Sequence, residues 1–142
     1  MPGPQSFVPP RVTPSRPKQR FTVAQANKTL PLVGRVVKDI VQAHSRITAL
    51  QARAQGGGKE KSALETQIHA AVERLQGYVD ELTAIGVELK DFQSGLVDFI
   101  GRHQGRDIYL CWKLGEDKIA FWHELQSGFA GRQPVSLLSE GD

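Results

Sequence analysis

Gly95-Leu96-Val97-Asp98-Phe99-Ile100, Ile108-Tyr109-Leu110-Cys111-Trp112-Lys113-Leu114 and Ile119-Ala120-Phe121-Trp122-His123-Glu124-Leu125 decide the class of this fold. In these runs apolar residues recur at every second position, the period of a strand, whereas before Gly86 they recur every three or four. Gly101 to Asp107 and Gly115-Glu116-Asp117-Lys118 separate the runs, which read as a three-stranded antiparallel meander. Val87 to Asp91, ahead of a turn at Gln93-Ser94-Gly95, adds a short leading strand. The expectation is therefore α+β: a long antiparallel helical hairpin packed on a small antiparallel β-meander of three to four strands.

Asp98 and His123 break the polarity of that meander. Pairing the strands so that apolar faces coincide sets Leu114 opposite Ile119, Trp112 opposite Phe121, Leu110 opposite His123, and Asp98 beside Leu110. The acid and the imidazole then share the core side of the sheet. Burying either without hydrogen bonds is costly, which makes them the first candidates for a functional site. Strands lie ~4.8 Å apart, so the two side chains start ~9.6 Å apart and need a bridge: a water, a metal, a ligand, or a helix residue such as His44. The purely structural alternative gives Asp98 a turn amide or Arg132, and has His123 donate to a backbone carbonyl.

Glu116 and Glu124 are the further carboxylates that a metal shared with His123 and Asp98 would use, with Fe, Mn or Zn suited to such donors. Their spacing is not a zinc motif: Glu116 sits at a hairpin tip and Glu124 points to the opposite face. Cys111 falls beside Trp122 on the second sheet face, where Lys113 could activate a thiolate but inert packing is the plainer reading. That face, with Tyr109 and Trp122, is either an interface or covered by Gly128 to Val135. Arg132 in the covering loop is the anion-binding candidate, with an intramolecular salt bridge as its alternative. Gly101-Arg102-His103-Gln104-Gly105-Arg106 has no phosphate-loop or dinucleotide spacing and reads as a solvated turn.

Upstream, Thr22 and Gln25 carry the spacing of a capping box, and Thr29 with Pro31 suggests that a short helix bends into a long one. Leu30, Val33, Val37, Ile40, His44 and Ile47 form one stripe. Gly56-Gly57-Gly58 reverses the chain, and Leu64, Ile68, Ala71, Leu75, Tyr78, Leu82 and Ile85 form a second, coiled-coil-like stripe up to Gly86. Residues 22–85 are thus a helical hairpin, and 87–135 the meander with its closing loop. Exposed flanks of the hairpin, through Val33, Val37, Ile40, Leu75 and Leu82, together with Tyr109 and Trp122 on the sheet, are the expected self-association surface.

Residues 1–20 hold six prolines and a charge of +4, and read as a disordered basic tail, while 136–142 should fray. Subtracting that tail's four basic groups leaves 14 basic against 15 acidic residues, so the net +3 is no nucleic-acid signature for the domain. There is neither a secretory leader pattern nor an apolar run of bilayer length, and one cysteine cannot form an intramolecular disulfide; a cytoplasmic protein is expected.

The quoted residues of the meander, with Phe21-Thr22-Val23-Ala24-Gln25-Ala26-Asn27, Leu30-Pro31-Leu32, Gly86-Val87, Lys90-Asp91, Leu114-Gly115-Glu116 and Gly128-Phe129-Ala130-Gly131-Arg132-Gln133-Pro134, resemble the bacterial family catalogued as domain of unknown function 2203. The resemblance spans Phe21 to Val135. It implies a small prokaryotic cytoplasmic protein and supplies no functional residues. Two functions follow from the residues: a homo-oligomeric scaffold, expected as a dimer, or a metal- or small-ligand-binding protein, with or without enzymatic activity, built on Asp98 and His123.

Overall fold

Thr22 opens the first helix with the expected capping box in the computed structural model, which describes residues 19–138. Its hydroxyl accepts from the Gln25 amide at 3.1 Å, and the Gln25 side chain accepts from the Thr22 amide at 2.9 Å. From there α1 (Val23–Gln55) runs without interruption through Pro31, where the sequence suggested a bend. The proline removes one amide donor. Burial of Ala26, Val33, Val36, Val37 and Ile40 along one side holds the helix across that gap. After the glycine turn, α2 (Lys61–Ile85) returns against α1 and stops at Gly86, whose φ of 98° is a left-handed cap.

Five antiparallel strands follow: β1 (Val87–Asp91), β2 (Leu96–His103), β3 (Arg106–Lys113), β4 (Phe121–His123) and β5 (Gln133–Pro134), in that order across one sheet. The class is α+β as expected, with five strands in place of three to four. The extra strand comes from the closing loop, which turns through a single 3-10 turn at Phe129–Gly131 and lays Gln133 beside Trp122.

Register is where the strands depart from expectation. Gln104 and Gly105 have φ of 51° and 78°, the mirror-image two-residue turn that matches sheet twist. His103 therefore faces Arg106, Asp98 faces Cys111, and Phe99 faces Leu110. The expected pairing of Asp98 with Leu110 is off by one residue, because Gly101 to Asp107 is mostly strand and not loop. A similar slip separates β3 from β4, where Tyr109, not Leu110, faces His123. Here Ile119 donates its amide to the Asn27 side chain at 2.8 Å and is itself buried, so the connection dips toward α1 and does not close as a tight hairpin. A shift of one residue exchanges the two faces of a strand.

Val87, Leu89, Val97, Phe99, Ile108, Leu110, Trp112 and Trp122 form the helix-facing side of the sheet, in one core with Val33, Val37, Ile40, Leu75, Val79 and Leu82. Phe21 enters this core edge-on to Phe99, with ring centroids 5.2 Å apart. The residues expected at a helical self-association surface, Val33, Val37, Ile40, Leu75 and Leu82, are thus buried within the chain, as is Trp122. The sheet has covered the flank that a free hairpin would expose; among the described residues, Leu32 is the one large apolar side chain exposed on either helix. Beyond the sheet, Leu50, Ala54 and Leu64 make a small separate cluster near the hairpin tip.

No helix among the described residues is long and apolar enough to cross a membrane. The expected tail lies outside the described residues as far as residue 18. Arg20, its last member, bonds Asp107 at 2.6 Å. The expected fraying at the other end lies outside them from residue 139.

Candidate metal centre

Because β2, β3 and β4 pair as they do, Asp98, Cys111, Tyr109 and His123 all project from the sheet face opposite the helices, and not from the core side at the sheet-helix junction where the expected register put Asp98 and His123. Asp98, Cys111 and His123 are 2%, 0% and 2% exposed. A ring nitrogen, a thiol sulfur and a carboxylate oxygen from these three lie within 4.8 Å of one another. His123 Nε2 stands 3.1 Å from each Asp98 oxygen, so the carboxylate meets the ring edge squarely. The direct contact replaces the bridged pair expected from strand spacing: His123 and Asp98 reach diagonally across β3.

The ring is fixed by its other nitrogen. Nδ1 lies 2.7 Å from the Glu124 carbonyl, an acceptor only, so Nδ1 carries the proton and donates. Nε2 is then left to receive a proton or a metal on the side of Asp98 and Cys111. The anticipated carbonyl partner of His123 is present, and it is what aims Nε2 into the cluster.

Burial raises the Asp98 carboxyl above its ordinary value, against the pull of His123, the Cys111 thiol and Lys90. Burial likewise pushes the Cys111 thiol up to about 12, with the Asp98 charge adding to the effect and Arg132 opposing it. A thiol held so firmly in its protonated form is no free nucleophile. It becomes a strong ligand only when a metal displaces the proton.

A second layer holds Cys111 from behind. Arg132 donates to both Glu116 oxygens at 2.8 and 2.6 Å and to the Cys111 carbonyl at 3.3 Å. Glu116 also accepts the Lys113 amide at 2.8 Å. The guanidinium lies over Phe121 at 4.2 Å and Phe129 at 4.7 Å, so the closing loop is tied onto this face. Burial resists ionisation of Glu116, but Arg132 and the Lys113 amide outweigh it and hold the carboxyl below its ordinary value.

Of the residues named as metal or ligand candidates in the sequence, the fold brings only Asp98 and His123 into the cluster. Glu116 is committed to Arg132, which answers the anion-binding expectation for that arginine with an intramolecular pair. Glu124 pairs with Arg106 at 2.6 Å near the surface, contributing to the cluster only its backbone carbonyl. His44, on α1, stacks on Phe92 in the turn after β1, with centroids 5.5 Å apart, and does not bridge Asp98 and His123. Tyr109 lines the site, its ring centroid 5.4 Å from that of His123. Cys111 is the member that the sequence reading put beside Trp122; the Gln104-Gly105 turn was the signal that would have placed it opposite Asp98.

No curated protein and no solved structure matches this chain. A family model does, over residues 19–135, from the capped start of α1 to the residue after β5, so that every member of the cluster and its Arg132–Glu116 support falls inside the match. The chain belongs to the family described as Uncharacterized conserved protein (DUF2203).

Proposed function

We propose that this protein binds a divalent transition-metal ion of the zinc class through Asp98, Cys111 and His123. One observation carries the reading: a histidine whose Nδ1 is held by a backbone carbonyl turns Nε2 onto a buried carboxylate, and a ring nitrogen, a carboxylate oxygen and the buried Cys111 sulfur lie within 4.8 Å of one another. Ligand bonds of ~2.0–2.3 Å place neighbouring donors of a tetrahedral ion roughly 3.3–3.7 Å apart, so the side chains need only small adjustments. A thiolate beside imidazole and carboxylate favours zinc or ferrous iron and disfavours the harder manganese that carboxylates alone would accept. This reading stands ahead of helix-mediated self-association because the stripe residues are buried within the chain.

Zinc titration of the full-length protein against a chromophoric chelator tests it. The wild type is expected to take one zinc per chain, with affinity reduced at least a hundredfold in Cys111→Ser and in His123→Ala, and unchanged in His44→Ala and Glu124→Gln. A folded wild type without stoichiometric zinc or iron uptake would contradict the proposal. Wild-type affinity in the cysteine and histidine variants would do the same.

A further inference from the structure

Glu88 on β1 is the direct cross-strand partner of Asp98, and Asp98 is the partner of Cys111 on β3. The three donors therefore stand in one row on one face of the sheet, with side chains of adjacent partners starting ~4.5–5.5 Å apart at Cβ. Glu88 is 11% exposed in its side chain, although it lies on an edge strand where a glutamate would ordinarily turn outward. The Tyr109 hydroxyl donates to the Glu88 carboxylate, but Oε2 is buried and has no hydrogen-bond donor, only the ion pair with Lys90. A carboxylate oxygen in that condition is costly unless a cation reaches it. Lys90 is the cation beside it, its Nζ 3.4 Å away but outside hydrogen-bonding geometry, and that ammonium is itself engaged over the Tyr109 ring at 4.9 Å.

We propose that Glu88 supplies the fourth ligand to the ion held by Asp98, Cys111 and His123, closing a shell of two carboxylates, one thiolate and one imidazole. This rests on the metal-binding reading above and goes beyond it by assigning the remaining coordination position to the protein. Glutamate has one methylene more than aspartate, the added reach that a ligand from the neighbouring strand needs. Charge is consistent with this shell: three anionic ligands exceed a dication by one, and Lys90 lies where it offsets that excess. A shell completed by side chains leaves no position for water or substrate, so the ion ties β1, β2, β3 and β4 together as a structural centre.

Cobalt(II) loaded into the full-length protein tests the assignment. The wild type is expected to show a sulfur-to-cobalt charge-transfer band and intense tetrahedral d–d bands that do not move when azide is added. Glu88→Gln should keep the charge-transfer band, bind cobalt about 10–100 times more weakly, and have d–d bands that shift with azide as the opened position fills. Azide-sensitive bands in the wild type would overturn the fourth-ligand assignment, as would a Glu88→Gln protein matching the wild type in affinity and spectrum. In either case a band abolished by Cys111→Ser leaves the three-residue reading standing. A wild type that takes up no cobalt would overturn both.

Discussion

Cys111 carries the largest consequence of any residue in the proposed centre, because burial pushes its thiol up to about 12 and ligation would require that proton to leave. Zinc affinity should accordingly rise about tenfold per pH unit for each proton displaced, and a titration in two buffers of different ionisation enthalpy should detect at least one proton released per ion. A pH-independent affinity between pH 6 and 8 would be inconsistent with thiolate ligation. Glu116 acts from the second layer. Its folded carboxyl lies below the ordinary value of 4.5, so its stabilising contribution is complete above that pH and is lost as pH falls through the lower folded value. Glu116→Gln should destabilise the protein by about 1–3 kcal/mol at pH 7, by urea unfolding, with the gap to wild type narrowing below pH 4.5. Asp98 has the opposite sign: its carboxyl is raised above 3.8, so in the metal-free protein its contribution is present below that pH and is lost as pH rises through the folded value. At this scale Asp98 and His123 were legible because polar residues interrupted an apolar alternation. Cys111 was not, since a cysteine among aromatics carries no sign of its partner until register is known.

Gly95 shows how tightly the elements are joined. Its φ is 74°, and a Cβ there would meet Leu114 Cβ and Val37 Cγ1 at 2.9 Å and Val41 Cγ2 at 3.1 Å, so the turn entering β2 presses directly against α1. Gly95→Ala combines left-handed strain with overpacking and should cost about 2–4 kcal/mol in chemical denaturation; a loss below 1 kcal/mol would mean that the turn moves aside freely. The outer ends of the helical hairpin were readable to within a residue or two, because glycines end both helices and the capping box starts the first, but the bend expected at Thr29 and Pro31 does not occur. The existence and meander order of β1 to β4 were readable, but register was not. Register passes through turn chemistry, and a seven-residue segment rich in arginine and glycine concealed the two-residue turn at Gln104-Gly105. The two-residue β5, a Gln-Pro pair, has no alternation to detect; it forms because Arg132 and Phe129 bring the closing loop down on the sheet.

Across the whole molecule, the sheet serves two interiors: an apolar one toward the helical hairpin and a polar one behind it, sealed by the closing loop. The first dominates stability. Phe99→Ala, at a site with no exposure and an edge-on contact to Phe21, should cost about 3–5 kcal/mol. Leu50→Ala in the separate cluster near the hairpin tip should cost about 2 kcal/mol and leave zinc affinity unchanged, since that cluster shares no residue with the polar interior. Zinc affinity lost on Leu50→Ala would show that the two ends are coupled in a way the packing does not provide. The second interior holds the proposed metal centre, and its chemistry is best tested at the metal itself. Zinc K-edge absorption on the loaded wild-type protein should show a single sulfur neighbour at about 2.3 Å with the remaining neighbours nitrogen or oxygen near 2.0–2.1 Å. A shell without sulfur, or with more than one, would contradict a centre built on Asp98, Cys111 and His123.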